Sequence, residues 1–493
     1  MTMHTHVTRL SLVAMVCGAC AVGPSPSVTP QTTPIVARTD GPMPPATRQF
    51  LDSLGTARQA DRPDSAPVGL WKPRPLVAQS TRDLAWLDVL RDSQLVALVN
   101  TAVANNRDLQ VAEARVREYR AERGVALGDF FPQISAAGAV SNNKVFFPGS
   151  APIPYNAVTA TGNLSWELDF WGRIRRETQA ANFDLRAREE DARATTITLV
   201  SDVATAYLEL RELDADLTIA EQTLASRQTT LDLARQRYQQ GVISELDVRQ
   251  FEADVADPAV RVADFARQRS AKEHQLAVLL GEPPSTIPRG RPLGDIVQAV
   301  TVPDSLPGTL IAQRPDVLSA QHAFQAATAR IGVAIADRLP TVSITGSYGT
   351  ERPNFTGLFT PQGEIYTVQA GISIPLFTGG KLSNAQRAAQ ARADEAKGQY
   401  EQTVLSALQE SSDALASIRL TRDQLVAQTT QAQALQTAFS LAQRRYASGI
   451  SSYLEVLDAQ RSLFTAQLTL VQTERQYLSA TVELYKALGG GWR

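Results

Sequence analysis

The chain has 493 residues and only two cysteines, Cys17 and Cys20, both at its very start. Beyond them there is no thiol for a disulfide and no CxxC-type metal site. Histidine is as scarce: His4, His6, His274 and His322 are scattered, and no HExxH pair is formed. Metal catalysis therefore has no visible ligands, and an enzymatic role has no candidate nucleophile, base or metal set. No cofactor is expected other than a covalent lipid on Cys20. The net charge is -2 and no basic stripe occurs, which disfavours nucleic acid as a partner. Past the N-terminus no run of about 18 apolar residues exists, so no helix is expected to cross a membrane.

What the first residues do carry is a targeting pattern. His4, His6 and Arg9 make a weakly basic start. Leu10 to Val16 follow as an apolar stretch, and then Cys17-Gly18-Ala19-Cys20. Small residues ahead of a cysteine look like a bacterial lipoprotein signal over 1–19, with Cys20 acylated as the first residue of the mature chain. An ordinary signal peptide with two incidental cysteines is the other reading. Residues 20–80 are rich in Pro, Ser and Thr with few large apolar side chains. Such a composition cannot bury enough surface to order itself, and it reads as a tether.

The rest of the chain says nearly the same thing twice, 208 residues apart. LARQRYQQGVISELDV starts at Leu233 and LAQRRYASGISSYLEV at Leu441. Gly172 returns as Gly380, Phe131-Pro132 as Leu339-Pro340, and Leu280-Gly281 as Leu488-Gly489. A fixed offset means two structurally equivalent halves, over 107–281 and 315–489. Residues 81–106 and 282–314 stand outside the repeat and should meet midway along it, as an equatorial region.

Each half opens with a helical stretch, Asp108 to Phe131 and Asp316 to Leu339, stopped by proline. Strand chemistry follows, near 133–141 and 158–170, then near 341–349 and 366–376. Val158, Ala160, Gly162, Leu164, Trp166, Leu168 and Phe170 alternate with polar partners, and Val368, Ala370, Ile372 and Ile374 do so in the second half. Period two gives one apolar and one polar face. Strands of roughly 9 to 11 residues cross a bilayer in a tilted barrel. Four strands cannot close one, and an open edge in lipid is forbidden by unsatisfied backbone groups. Several chains must then share a barrel, with Trp166, Trp171, Tyr348 and Phe359 as interfacial aromatics.

After the strands, residues 173–240 contain neither Gly nor Pro, which is roughly 100 Å of helix at 1.5 Å per residue. Leu199, Val203, Ala206, Leu210, Leu213, Leu217, Ala220, Leu224, Leu231, Ala234 and Tyr238 hold a heptad seam that only Arg227 breaks. The second long helix, 381–448, is softer, with Ser411, Thr421 and Gln428 in its seam. Chain reversals at Gly241 and Gly449 lead into return helices over 244–280 and 452–488. One long helix then has the length of a return helix and an opening helix stacked end to end. Pro258, whose counterpart is Ala466, predicts a kink or break. The phosphate-loop look-alike TGGKLS at Thr378 lacks the earlier glycine that the motif needs, and reads as a capped strand-to-helix turn.

These residues resemble the TolC/OprM outer membrane factors, in the lipoprotein (NodT-like) branch serving resistance-nodulation-division efflux systems. The resemblance runs from Trp86 to the end. It is carried by CAVGP, LVALVNTAVANNRDLQVAEARV, FFPQIS, WELDFWGRIRR, RYQQGVISELDV, LLGEPP, LIAQRPDV, LPTVSI, ISIPLFTGGKLSNAQ and RYASGISSYLEVLDAQRSL, in that order. It implies a mainly α fold with a small membrane β part. A homotrimer would share a twelve-stranded β-barrel in the outer membrane of a Gram-negative bacterium. That barrel would continue into a twelve-helix coiled-coil α-barrel with an equatorial domain. It implies an exit duct, lipid-anchored and not an enzyme, fed by a periplasmic adaptor and an inner-membrane pump. The tip contacting the adaptor would be Gly241, Val242 and Ile243 with Gly449, Ile450 and Ser451. A periplasmic gate would use Glu455 and Asp458 as carboxylates around the aperture, a cation-attracting constriction. Asp247 and Tyr446 would tie the hairpins. Ser451 replaces the usual basic partner, which implies a rearranged latch.

Two rivals remain. A duct for type I protein secretion keeps the fold and changes the cargo; the lipid anchor and the CAVGP start lean towards small-molecule efflux. A periplasmic coiled-coil scaffold without a pore accounts for the heptads but leaves the alternating strands unexplained.

Overall fold

The computed structural model describes residues 89–146, 148–149, 151–300 and 308–490. The signal peptide over 1–19, Cys20, the tether over 20–80 and residues 81–88 and 301–307 of the equatorial segments lie outside the described residues. In chain order the elements are α1 (Ser93–Asn105), α2 (Arg107–Gly128), β1 (Gln133–Val145), β2 (Ile153–Leu168), α3 (Arg173–Gln239) and α4 (Glu245–Leu279). Then come α5 (Leu293–Ala299), α6 (Pro315–Ala336), β3 (Thr341–Arg352), β4 (Glu364–Ser373), α7 (Lys381–Ala447) and α8 (Tyr453–Ala487). Both bounds of α2, α3 and α4 return 208 residues later in α6, α7 and α8. Strand bounds drift by a few residues. β4 ends at Ser373, short of 376, because Pro375 has no N–H for the ladder. β2 begins at Ile153, because its first residues pair with the far end of β1.

The chain forms two compact units, and the long helices run from one into the other. The first comprises Ala114–Glu190 and Leu318–Gln402. Its sheet is an antiparallel meander in the order β1-β2-β3-β4. The register puts Ile134 opposite Leu164, Leu164 opposite Gly346, and Gly346 opposite Val368. One row lower, Ala136, Gly162, Tyr348 and Tyr366 line up. Since side chains alternate, the apolar members of all four strands share one face. On the edge strands that face is bare, with Ile134, Tyr366 and Val368 each more than 70% exposed; on the central strands Leu164 and Ile344 are half-buried and Val158 is buried. Trp166 and Trp171 are half-buried at the strand-to-helix corners, their indole N–H groups donating to the carbonyls of Phe130 (2.9 Å) and Pro340 (2.6 Å). Tyr348 and Phe359 stay exposed. Asp169 accepts from the first amides of α3, Ile174 N and Arg175 N, meeting donors a helix start leaves free.

Among the described residues the second unit comprises 89–113, 191–300, 308–317 and 403–490. Its core gathers Leu95 and Val99 of α1, Leu293 and Ile296 of α5, Tyr207 and Leu210 of α3, and Leu478 and Leu484 of α8. Asp92 caps α1, and its carboxylate also accepts from the Tyr207 hydroxyl (2.9 Å) and Arg291 N (3.1 Å). The two equatorial segments are thereby pinned to α3. Here also the helices stack end to end. Asn106 accepts from Asp108 N and Leu109 N at the start of α2 and donates to Leu279 O at the end of α4 (3.0 Å). At the equivalent joint Arg314 donates to Ala487 O (2.7 Å).

The seam residues of α3 from Leu199 to Ala220 are buried, as are Leu231 and Ala234; Leu224 is half-buried and Tyr238 exposed. Arg227, the seam's polar exception, is 2% exposed. Pro258 does not break α4, which runs unbroken from Glu245 to Leu279. A proline lacks the N–H that would bond to the carbonyl four residues back, here that of Asp254. Arg227 Nη1 supplies that donor to Asp254 O at 2.7 Å.

Candidate functional site at the hairpin turns

Both long helices end the same way. Gly241 and Gly449 adopt positive φ (73° and 71°). Val242 N then bonds to Arg237 O (2.9 Å), and Ile450 N to Arg445 O (3.0 Å). This six-to-one bond with a left-handed glycine closes a helix and releases the chain sideways. The turn leaves Val242 and Ile450 about two-thirds exposed, and Leu246 and Leu454 likewise. Leu246 and Leu454 were not among the tip residues expected from sequence; they extend each apolar patch by one helical turn.

Asp247 and Glu455 occupy the same repeat position, each three residues past a serine N-cap, and they are used differently. Asp247 accepts from Ser244 N (2.9 Å) and Ser244 Oγ (2.8 Å) in a closed capping box. Those bonds hold its carboxyl below the usual range. It does not meet Tyr446. In the second hairpin Ser452 makes no side-chain cap, and Glu455 lies 3.7 Å from Arg445. That pair is half exposed on both sides and weak. Asp458 is exposed, with no ion pair among the described residues. Ser451 Oγ is buried, with no hydrogen-bond partner among the described residues.

Tyr446 takes a different partner from the one its position suggested. Its hydroxyl accepts from Arg237 Nη1 at 2.6 Å, and the guanidinium lies 5.0 Å from its ring centre. The bond joins the end of α3 to the end of α7, one hairpin to the other. Behind it Tyr453 meets Tyr446 edge-on at 5.5 Å and packs on Phe251 of α4 at 3.9 Å. Burial, with the charge of Asp254, pushes the Tyr453 hydroxyl up to about 12. Leu231, Ala234, Val248 and Phe251 form the small apolar core beneath. Nearby, Arg461 of α8 is paired with the buried carboxylate of Asp254, a second tie between the hairpins. Sequence reasoning missed Arg237, Phe251, Tyr453 and Arg461. One signal was present: Arg237-Tyr238 and Arg445-Tyr446 are the same dipeptide, 208 residues apart.

Comparison with known proteins agrees with the doubled architecture. The model of the outer membrane efflux protein family matches residues 98–282 and again 306–490. The chain is 36% identical over 414 residues to the probable efflux pump outer membrane protein TtgC of Pseudomonas putida, covering 83% of this chain and 85% of that protein. It is 33% identical over 422 residues to the cation efflux system protein CusC of Escherichia coli, covering 84% and 90%. Among solved structures, the outer-membrane channel OprN superposes with a TM-score of 0.77 at 31% identity, over 87% of this chain and 99% of that one. The chain belongs to the outer membrane efflux protein family.

Proposed function

We propose that three copies of this chain form the outer membrane exit duct of a tripartite efflux pump, passively passing small toxic compounds from a periplasmic adaptor and inner-membrane pump to the exterior. The observation that carries this reading is the sheet. Among the described residues β1 pairs only with β2 and β4 only with β3, so both edges of backbone donors and acceptors stay open beside the exposed apolar side chains of the edge strands. In lipid such edges must be met, and a neighbouring copy offers the complementary edge. Three copies give twelve strands. α7 supports the same assembly: Leu405, Leu415, Leu420, Val426 and Leu441 are exposed along it, more than a wetted helix needs.

The hairpin turns are the adaptor-contact tip. Gly241 and Gly449 shape it, while Val242, Leu246, Ile450 and Leu454 present the apolar surface; Ile243 and Ser451 flank it. Tyr446, Glu455 and Asp458 are gate residues, with Asp247 supporting the turn through its cap. Cys20 carries the lipid anchor. Relatives named for toluene, antibiotic and cation efflux all match at 33–36% identity, so the cargo class is left to experiment.

The test is a photo-crosslinking residue at Ile450 in living cells, with captured partners identified by mass spectrometry. Capture of the adaptor of a resistance-nodulation-division pump is the expected result. Capture of a type I secretion adaptor would move the function to protein export. No adaptor captured at Ile450 by a chain that still assembles as a trimer in the outer membrane would overturn the tip assignment.

A further inference from the structure

Within the second unit, α3, α4 and α8 line a cavity of about 750 Å³ whose wall is unevenly made. One end holds Glu212 and Asp216 of α3. Phe265 of α4 with Phe464 and Leu468 of α8 make an apolar stretch. Arg227 and Arg461 stand at the other end, joined through Asp254. Arg227 lies eleven residues beyond Asp216 on α3, about 16 Å at 1.5 Å per residue. Charge pairing in this wall leaves one group over. Glu212 is met by Arg475 at 2.9 Å, Asp254 by Arg461, and Asp257 by Arg227 at 3.4 Å. Asp216 has no ion pair among the described residues, and one of its oxygens has no hydrogen-bond partner there, although the residue is only 8% exposed. Burial, with the Glu212 carboxylate, pushes its carboxyl up to about 7. A buried carboxylate without a cation is costly, and a ligand that brings the cation removes that cost.

We infer that this cavity binds an organic cation, a quaternary ammonium or protonated amine on an aromatic or alkyl body, with its charge against Asp216 and its body against Phe265, Phe464 and Leu468. The site lies within a single chain and does not rest on the trimeric reading above. A pocket of this volume with an apolar wall and few polar groups suits a small molecule. Aromatic faces attract positive charge, so the rings serve the head of such a ligand as well as its body. A small, strongly hydrated metal ion is the poorer occupant. It needs several oxygens, and among the described residues no three His, Cys, Asp or Glu side chains are placed to hold one. An anion is poorer too, because Arg227 and Arg461 already hold carboxylates, and Arg261, without an ion pair among the described residues, is exposed.

A proton competes with the cation for Asp216. The other charged groups of the wall are Glu212 and Arg227 of α3, Asp254, Asp257 and Arg261 of α4, and Arg461 of α8. The paired carboxylates keep their arginines with or without the ligand, so Asp216 sets the pH dependence. The ligand selects the ionised carboxylate, which the folded chain loses as pH falls through about 7. Binding should therefore weaken about tenfold from pH 8 to pH 6.

The experiment is isothermal titration calorimetry on the full-length protein in a non-ionic detergent, with benzyltrimethylammonium as the probe. One site per chain is expected, with a Kd of about 1 mM or tighter for so small a ligand. Asp216→Asn keeps the shape and removes the charge, and should weaken binding at pH 8 by about tenfold or more. Asp202→Asn, which removes an exposed carboxylate from the same helix, should leave binding unchanged. Benzenesulfonate, with a similar ring and the opposite charge, should not bind. Equal affinity in the parent chain and Asp216→Asn would overturn the site, as would an affinity that stays constant between pH 6 and pH 8. Tighter binding of benzenesulfonate than of the cation would overturn the ligand class and move the site to the arginine end. Displacement of the probe by millimolar Mg²⁺ would overturn it in favour of an inorganic ion. No saturable heat from a chain that elutes as one folded species would remove the proposal while leaving the exit-duct reading untouched.

Discussion

Arg227 and Pro258 each break a local rule, and the structure shows that the two violations cancel. Proline removes the donor for the Asp254 carbonyl; the arginine in the apolar seam of α3 replaces it. The second half confirms the pairing by omission, since the equivalent positions are Leu435 and Ala466. Arg227→Leu should therefore destabilise by about 2–4 kcal/mol, leaving a buried carbonyl without a donor and the Asp254 region short of a cation. Pro258→Ala should recover a good part of that loss in the double variant, because alanine restores the N–H. Strictly additive melting temperatures for the two changes would refute the pairing. Asp216, on the same helix, makes a different prediction. It lines a cavity of about 750 Å³ between α3, α4 and α8, with one carboxylate oxygen buried and without a hydrogen-bond partner among the described residues. Burial, with the nearby Glu212 carboxylate, pushes its carboxyl up to about 7 from an ordinary 3.8. The folded chain then holds this proton to a higher pH than the unfolded chain does. The site's contribution to stability is full below about pH 4 and is lost as pH rises through about 7. Asp216→Asn should accordingly change little below about pH 4, stabilise progressively as pH rises towards 7, and stabilise by about 1–3 kcal/mol at pH 8, read as the pH-dependent difference in melting temperature.

The stacked helices share one joint built with two different side chains. Asn106 caps α2 and holds the last carbonyl of α4; Arg314, at the equivalent place, holds the last carbonyl of α8 and reaches Asp316 and Glu410. Ser411 gives Ala487 O a second donor at 3.2 Å. Asn106→Ala should cost about 1–2 kcal/mol as a lost cap and tie. Arg314→Ala should cost about the same, and Arg314→Asn less, measured by hydrogen exchange of the amides at the α6 start. Equal losses for Ala and Asn at 314 would mean that the joint depends on the charge and not on its geometry. The stacking itself was legible in sequence, because element lengths and one fixed offset need only periodicity and helix stops. So was the apolar face of the sheet, since a period of two leaves no choice of side. Side-chain partners were not. The Ser244-x-x-Asp247 spacing is a capping-box signature, yet it does not say whether that serine or Tyr446 claims the carboxylate. Arg227 and Pro258 were visible as anomalies, but joining them required knowing that α4 brings Asp254 against that point of α3.

For the whole molecule, the proposed barrel assigns opposite fates to adjacent residues. Val368 and Gln369 follow one another on β4, both exposed in the single chain, and alternation sends them to opposite faces. Val368 lies in the row of Ile134 and Leu164, the face proposed to meet lipid; Gln369 shares its face with Thr345 and Ser165. Arginine at Val368 must carry a charge into hydrocarbon, a cost of about 2–4 kcal/mol per chain near the midplane, and three chains bear it at once. The expected result is a loss of assembled trimer from the outer membrane with the chain still made. Arginine at Gln369 points into water and should leave assembly intact. Three added cations in the lumen should then shift ion preference towards anions, measured as a change in reversal potential across a salt gradient. A scaffold without a pore predicts no difference between the two variants, because both side chains would face the same solvent. A reversal of their effects would instead mean that the sheet presents its polar row to lipid, which an apolar bilayer does not permit.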